Sequence, residues 1–400
     1  MDIVRAIADY NAGRDPERLA LKYAKMRGDP FVFLRGSCHL FHDRMPQGGV
    51  FASAPAAWAC GDLHLENFGS YKADSRQVQF DINDFDEAAL APASWDLARL
   101  LTSLRVGASG LGISAAETDV LCRAQLAAYR AALADGKAGW IDRDTADGQI
   151  GDLLADLRNR KRADYIGKRT ETRDGHLRLR TDNGKALPAS PEQRGAVAAF
   201  LDRFAASQPE PRFYKLIDVA RRIAGTGSLG VERYVLLVRG KGDGLEGHYL
   251  LDLKRALPST LAPKVALAQP AWVSDADRIV LLQRRMQAAS MAFLHAVDFG
   301  GQPFVLRGLQ PSEDRVTLER KAQSLAELRA TIETLGRLLA WAQLRSSGRQ
   351  GSANADALIA WAGDPHWPPE LLAATEALAA RTRADSAAFD AACADGSLHA

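Results

Sequence analysis

The residues that could do chemistry crowd between Cys60 and Arg99. Asp62, His64, Glu66, Asn67, Asp81, Asp84, Asp86 and Glu87 fall there among apolar runs that include Val78, Phe80 and Ile82. Carboxylates at this density beside core-forming residues are costly unless they are paired or hold a cation. Magnesium takes hard oxygen ligands, usually one or two side chains, with substrate phosphates completing the set. Asn67 and a carboxylate of the following strand, Asp84 or Asp81, suit that task. Asp62, five residues before Asn67, would share its loop and orient or deprotonate an attacking hydroxyl. The stretch is therefore expected to form a divalent-metal and phosphoryl-transfer centre. The plainer alternative is an Asp/Asn-rich turn whose side chains cap backbone groups.

A second constellation is Gly225-Thr226-Gly227-Ser228-Leu229-Gly230, followed by VERYVLLV. A dinucleotide-binding glycine motif would open a helix, whereas the Val and Tyr content here favours a strand. A glycine turn between strands is the lid that covers nucleotide phosphates in kinases, where a Lys on the next strand reaches the α- and β-phosphates. Lys254, ending YLLDLK, stands at that place. The glycines of Gly225, Gly227 and Gly230, with Ser228, are the expected phosphate cradle; a hairpin whose glycines serve only the turn is the alternative. Arg35 and Arg307 end apolar runs and suit either phosphate or a structural ion pair. His39 and His42, with His64, would be the ligands of a different, zinc-like centre, although oxygen-rich surroundings point away from zinc.

These residues need elements to hold them. Helices are expected around Ala20–Met26, over CHLFHDRM, through Trp95–Ala134 with a break at Gly107–Gly112, from Asp275 through Val297, and over LAELRATIETLGRLLAWAQLR. Strands are expected at Phe31–Leu34, Ala57–Cys60, Val78–Ile82, Val231–Val238, His248–Lys254 and PFVLRGL, with a hairpin turn at Asp174-Gly175. The boundaries so drawn are 1–135, a connecting region 136–215, a β-rich segment 216–270 and a helical part 271–400. Four hundred residues favour two lobes over one. A net charge of +2 gives no reason to expect nucleic acid as partner, so the basic run Arg158–Arg180 reads as solvated surface. Four scattered cysteines without a C-x-x-C pair suggest free thiols in the cytoplasm. The charged N-terminal stretch argues against a secretory signal, and no run is apolar enough to span a membrane.

Cys60–Arg99 resembles the catalytic-loop motif of aminoglycoside and choline phosphotransferases, a branch of the protein-kinase-like fold. The matching positions are Gly61, Asp62, His64, Asn67, Asp84 and Asp96-Leu97-Ala98. The resemblance implies Asp62 as catalytic base, Asn67 and Asp84 as magnesium ligands, and Asp96 as anchor of the loop, with His64 and Asp81 in support. More of the chain is similar to a bacterial family of unknown function, domain-of-unknown-function family two-two-five-two. KMRGDPFVFLRGS, CGDLHLENFG, FDINDFDEA, WDLARLLTSL, AGTGSLGVERYVLL and LDLKRA carry that similarity.

The resemblance implies an α+β, two-lobe kinase-like fold with a helical large lobe and a small β-rich nucleotide-binding lobe. The glycine loop and Lys254 follow the catalytic loop here, whereas they precede it in kinases, so the small lobe would be permuted or inserted. Asp277, starting the next helix, is the expected partner of Lys254. The function so implied is magnesium-dependent transfer from ATP to a small-molecule or protein acceptor. A metal-dependent phosphoesterase and a non-catalytic nucleotide-binding protein are the alternatives. Nothing in the sequence speaks to oligomeric state.

Overall fold

A computed structural model describes residues 2–311, 314–316 and 318–398 of the chain. It is an α+β structure. Two short antiparallel pairs frame the first constellation. β1 (Ala56–Ala59) pairs with β4 (Ala89–Pro92), and β2 (Phe68–Lys72) pairs with β3 (Val78–Ile82). The outlying hairpin of β5 (Thr170–Arg173) and β6 (His176–Leu179) turns at Asp174-Gly175, both with positive φ, the two-residue turn that matches strand twist.

The main sheet is antiparallel and six-stranded. It contains β7 (Ala186–Pro188), β8 (Leu216–Arg222), β9 (Arg233–Val238), β10 (Tyr249–Arg255), β11 (His295–Phe299) and β12 (Gln302–Gly308), in the order β11-β12-β10-β9-β8-β7. Alternation along each strand sorts its side chains between two faces. Tyr234, Leu236, Val238, Leu251, Leu253, Phe304 and Leu306 turn to one face, where they pack with Val197, Phe200 and Leu201 of the helix Pro191–Ala206. Burying each such aliphatic or aromatic side chain contributes roughly 1.5–3 kcal/mol. Arg233, Asp252, Lys254 and Arg307 fall on the opposite face, because Lys254 stands across from Arg233 and Asp252 across from Arg307.

The helical part is built around Ser94–Gly107, Ala115–Asp135 and Leu325–Ser346, which surround the two short strand pairs in one large core. Ser114 with Glu117 and Ser324 with Glu327 close capping boxes at two of these helices, each satisfying backbone N–H groups that the helix itself leaves open. The N-terminal helices Ile3–Asn11, Pro16–Met26 and Pro30–Gly36 pack through Tyr23 and Phe33 on Phe389 of the long helix Trp367–Ala394. No helix among the described residues is long and apolar enough to cross a membrane.

Three expectations change. Phe31–Leu34 lies in a helix, since Asp29 accepts from Phe31 N (2.8 Å) and Val32 N (3.2 Å) and Pro30 occupies the first turn; capping overrides the β-prone composition. The helix from Asp275 stops at Met286, and His295–Phe299 is a strand joined to β12 across Gly300-Gly301. The sheet also crosses both boundaries drawn around 216–270, taking β7 from before it and β11–β12 from after it.

Candidate functional site

β1 delivers the chain to Cys60-Gly61-Asp62 at the point where it must turn. Gly61 has φ +85°, and a Cβ there would stand 2.3 Å from the Glu87 carbonyl oxygen, so conformation and space both require glycine. Asp96, in the first turn of Ser94–Gly107, takes Cys60 N on Oδ2 (2.7 Å) and Gly61 N on Oδ1 (3.0 Å). Its carboxyl is pushed up to about 6 by burial, against those same hydrogen bonds. Arg99, one turn further along the helix, donates Nε (3.0 Å) and Nη2 (2.5 Å) to Oδ1 of Asp62. Arg99 is 1% exposed and the Asp62 side chain 21%, so one carboxylate oxygen is held while the side chain still reaches open space. Burial raises the Asp62 pKa, with Arg99 pulling it down.

Asn67 is fixed from the same loop, donating Nδ2 to the Asp62 carbonyl oxygen at 2.5 Å. Asn83 N donates to the Asn67 carbonyl oxygen at 3.0 Å, which brings the end of β3, and with it Asp84, to the loop. Asp84 accepts one long bond, from Asp86 N at 3.4 Å. Burial opposes its ionisation, but Lys254, Arg307 and Arg233 together hold its pKa below the usual value. His64 takes Glu66 N on Nδ1 (3.2 Å), and burial drives its pKa far down, so the ring is neutral.

The glycine segment arches between β8 and β9 onto this loop. A Cβ on Gly227 would lie 3.0 Å from the Arg35 carbonyl oxygen and 4.0 Å from Asp62 Oδ2, so the close approach favours glycine. The arch is pinned from outside. The Gly227 carbonyl accepts from Arg14 Nη1 (2.7 Å) and Lys22 Nζ (3.1 Å), that of Leu229 from Arg14 Nη1 (3.0 Å), and that of Gly230 from Asp15 N (3.0 Å). Lys254 comes down from β10 and forms an ion pair with Asp86. Asp62, His64, Asn67, Asp84, Lys254, Arg35, Gly225, Gly227 and Ser228 thereby line one cavity of about 70 Å³. Its two halves come from segments 138 residues apart in sequence, Asp62–Glu87 and Gly225–Lys254.

Other expected residues stand elsewhere. Asp277 is not the partner of Lys254: its carboxylate accepts from Ser274 Oγ (2.6 Å) at the start of its own helix, and Asp86 takes the ammonium instead. Asp81 accepts from Ile82 N, Ala288 N and Arg345 Nη2 (2.8, 3.0 and 2.9 Å) and ties β3 to the helix Leu325–Ser346. Gly230 sits against Arg14, outside the cavity lining. Arg35 lines the cavity while paired with Glu66 (2.8 Å), which also meets Arg315 (3.2 Å). The histidines do not converge on a metal. His42 bonds Gly61 O and Thr260 Oγ1, His39 stacks on Tyr10, and among the described residues no cluster of three or more His, Cys, Asp and Glu is placed to hold an ion.

Sequence reasoning passed over Arg99, Arg14 and Lys22, and did not pair Asp86 with Lys254. Arg99 carried a signal: it lies three residues after Asp96, on the same helix face. Glu87 accepts from Thr260 N (2.5 Å) and Thr260 Oγ1 (2.9 Å). Burial nevertheless raises its pKa from 4.5 to about 7. A raised folded-state pKa gives a contribution to stability that is complete below the unfolded value and is lost as pH rises through the folded one. Glu87→Gln should therefore flatten the fall of melting temperature expected of wild type between pH 5 and 8; equal slopes in the two proteins would place the titrating group elsewhere.

No curated protein and no solved structure matches this chain. The model of a bacterial family described as "Uncharacterized protein conserved in bacteria (DUF2252)" matches residues 14–393, and the chain belongs to that family.

Proposed function

We propose that this protein is a magnesium-dependent phosphotransferase that uses ATP and has a two-lobe, kinase-like organisation. One observation carries the reading: the glycine arch and Lys254 close over the Asp62–Asn67–Asp84 loop although they lie far from it in sequence. A glycine-rich hairpin, a Lys on the next strand and then the helix Asp275–Met286 are the parts, in the order, of a kinase small lobe. The catalytic loop lies earlier in the chain, so the lobes follow one another in reverse.

Asn67 and Asp84 fit a magnesium ion. Asn67 spends Nδ2 on the Asp62 carbonyl, and among the described residues no donor takes its Oδ1 or more than one long bond to Asp84. Two oxygen ligands without a closed protein cage suit an ion that completes its shell with phosphates and water. When bound there, magnesium would neutralise charge on the transferring phosphates. In this reading Asp62 accepts the acceptor hydroxyl's proton on Oδ2, while Arg99 fixes Oδ1 and so the plane of the carboxylate. The Gly225–Ser228 backbone covers the phosphates and Lys254 meets their oxygens. Asp96 holds the loop in place and touches no substrate.

The test is calorimetry of ATP with and without magnesium, then a metabolite screen read by ADP release with Asp62→Ala as control. Absence of magnesium-dependent ATP binding ends this reading. A phosphoesterase would need convergent histidines, and His39, His42 and His64 each have other environments. Binding of ATP with equal, negligible turnover in wild type and Asp62→Asn would instead identify a nucleotide-binding protein without transferase activity.

A further inference from the structure

Beside the small cavity, under the β8–β9 hairpin, lies a chamber of about 860 Å³. Among the described residues, ten lysines and arginines line it and one carboxylate, Asp84. Asp252 stands behind its wall, 0% exposed, and faces three guanidinium groups. Arg233 takes it bidentately (2.8 and 2.6 Å). Arg222 Nη1 forms an ion pair with it at 2.8 Å and Arg307 Nε one at 3.5 Å, each without a well-aligned hydrogen bond among the described residues, while Arg222 Nη2 donates to the Gln310 carbonyl oxygen (2.8 Å) and Arg307 Nη1 to that of Asn83 (3.4 Å). A bidentate Arg–Asp pair is already neutral. Two further buried guanidiniums beside it are a liability to the fold unless an anion meets them. Burial and the neighbouring Arg233 accordingly push the Arg222 pKa down to about 10.

At the mouth stand Lys25, Lys168, Arg180 and Lys185. The Lys25 ammonium is disfavoured by burial and by Arg35 and Lys185, which places like charges close together across the opening. Val235, Leu250 and Leu309 add an apolar part to the lining. A site for adenosine alone would be mostly apolar with a few placed polar groups; a tenfold excess of cations over carboxylates among the described lining residues is a different chemistry. The chamber shares Arg35, Asp84, Gly225, Thr226 and Arg315 with the small cavity, so a ligand in it reaches the proposed reacting centre.

We propose that this chamber binds a polyphosphorylated small molecule, with phosphates over the Arg222–Arg233–Arg307 cluster and one end at Asp84. This deepens the phosphotransferase reading, and rests on it only for the source of the phosphates: the nucleotide's own chain or a phosphorylated acceptor.

The probe is inorganic tripolyphosphate, titrated by calorimetry into the full chain at ~0.1 M salt, where surface charges are largely screened. One-to-one binding is expected, weakened about tenfold or more in Arg222→Gln and in Arg307→Gln. Melting temperature should hold or rise in both, because Asp252 keeps Arg233; affinity and stability then move in opposite senses, which a damaged fold does not produce. Lys168→Glu, at an exposed position, is the second variant and should also weaken binding. Repeating the titration with a saturating non-hydrolysable ATP analogue and magnesium separates the sources. Competition assigns the chamber to the nucleotide's phosphates, and simultaneous binding assigns it to the acceptor. No binding of tripolyphosphate, or binding unchanged in all three variants, overturns the proposal. Tripolyphosphate binding without any ATP turnover would keep the chamber and remove the transferase; turnover with unaltered binding in the variants would do the reverse.

Discussion

Asp62→Asn is expected to lower phosphoryl transfer by about 10²–10⁴-fold, the range that a positioned general base contributes, while magnesium-dependent ATP binding persists. The side chain keeps its shape, so its carbonyl oxygen can still accept from Arg99, but the proton acceptor is gone. Arg99 sharpens the test. It is fully buried, and its remaining acceptor is the Leu34 carbonyl oxygen at 2.8 Å, so a neutral residue at 62 leaves a cation without its counter-charge. Breaking a buried pair in this way costs about 3–5 kcal/mol, and the stability of the variant must be measured alongside its rate. A folded variant with intact ATP binding and lost turnover assigns the base to Asp62. Wild-type turnover removes it from that role. The pH profile gives a second check: burial raises the Asp62 pKa, so activity needing its ionised form is present at high pH and falls as pH drops through that raised value.

The legible part of the fold was whatever short stretches decide for themselves. β3 runs from Val78 to Ile82 as its alternation indicates, and the Asp174-Gly175 hairpin forms because both residues tolerate positive φ. The same rule, applied to Gly300-Gly301, would have revealed β11; the apolar run before it read as a continuing helix instead. Phe31–Leu34 shows the opposite error, β-prone residues drawn into a helix by an Asp-Pro cap. Boundaries failed where strands from both sides of the glycine segment joined its sheet, since pairing of β7 with β8 and of β10 with β12 is tertiary information.

At the site, the loop residues could be read because Asp62, Asn67 and Asp84 lie within 23 positions of one another. Their partners could not. Lys254 and Asp86 are 168 residues apart, and local proximity pointed to Asp277, whose carboxylate is consumed by its own helix start. The Asp252 cluster is invisible for the same reason: Arg222, Arg233, Asp252 and Arg307 come from four strands, and only the antiparallel register sets them on one face. In sequence nothing links them, since they are spread over positions 222 to 307.

Lys254→Met should weaken magnesium–ATP binding by about 2–5 kcal/mol, the cost typical of truncating one partner of a buried, hydrogen-bonded charge pair. Lys254 is 6% exposed and Asp86 34%, so Asp86 can rehydrate after the substitution and the fold should survive. The ammonium also contributes most to holding the Asp84 pKa down against burial. A depressed carboxyl pKa stabilises the fold above the unfolded value and loses that contribution as pH falls through the folded one. Without Lys254 the Asp84 pKa rises, so the acidic loss of both stability and metal-dependent binding should begin at higher pH than in wild type. Asp86→Asn separates the two duties of the lysine. It releases the ammonium from its protein partner while leaving it over Asp84, so nucleotide affinity should be kept and the acid limb should not move upward. A double-mutant cycle between the two positions then reads their coupling directly. If Lys254→Met binds ATP as wild type does, the lysine serves only the Asp86 ion pair, and the glycine arch loses the residue that links it to phosphate chemistry.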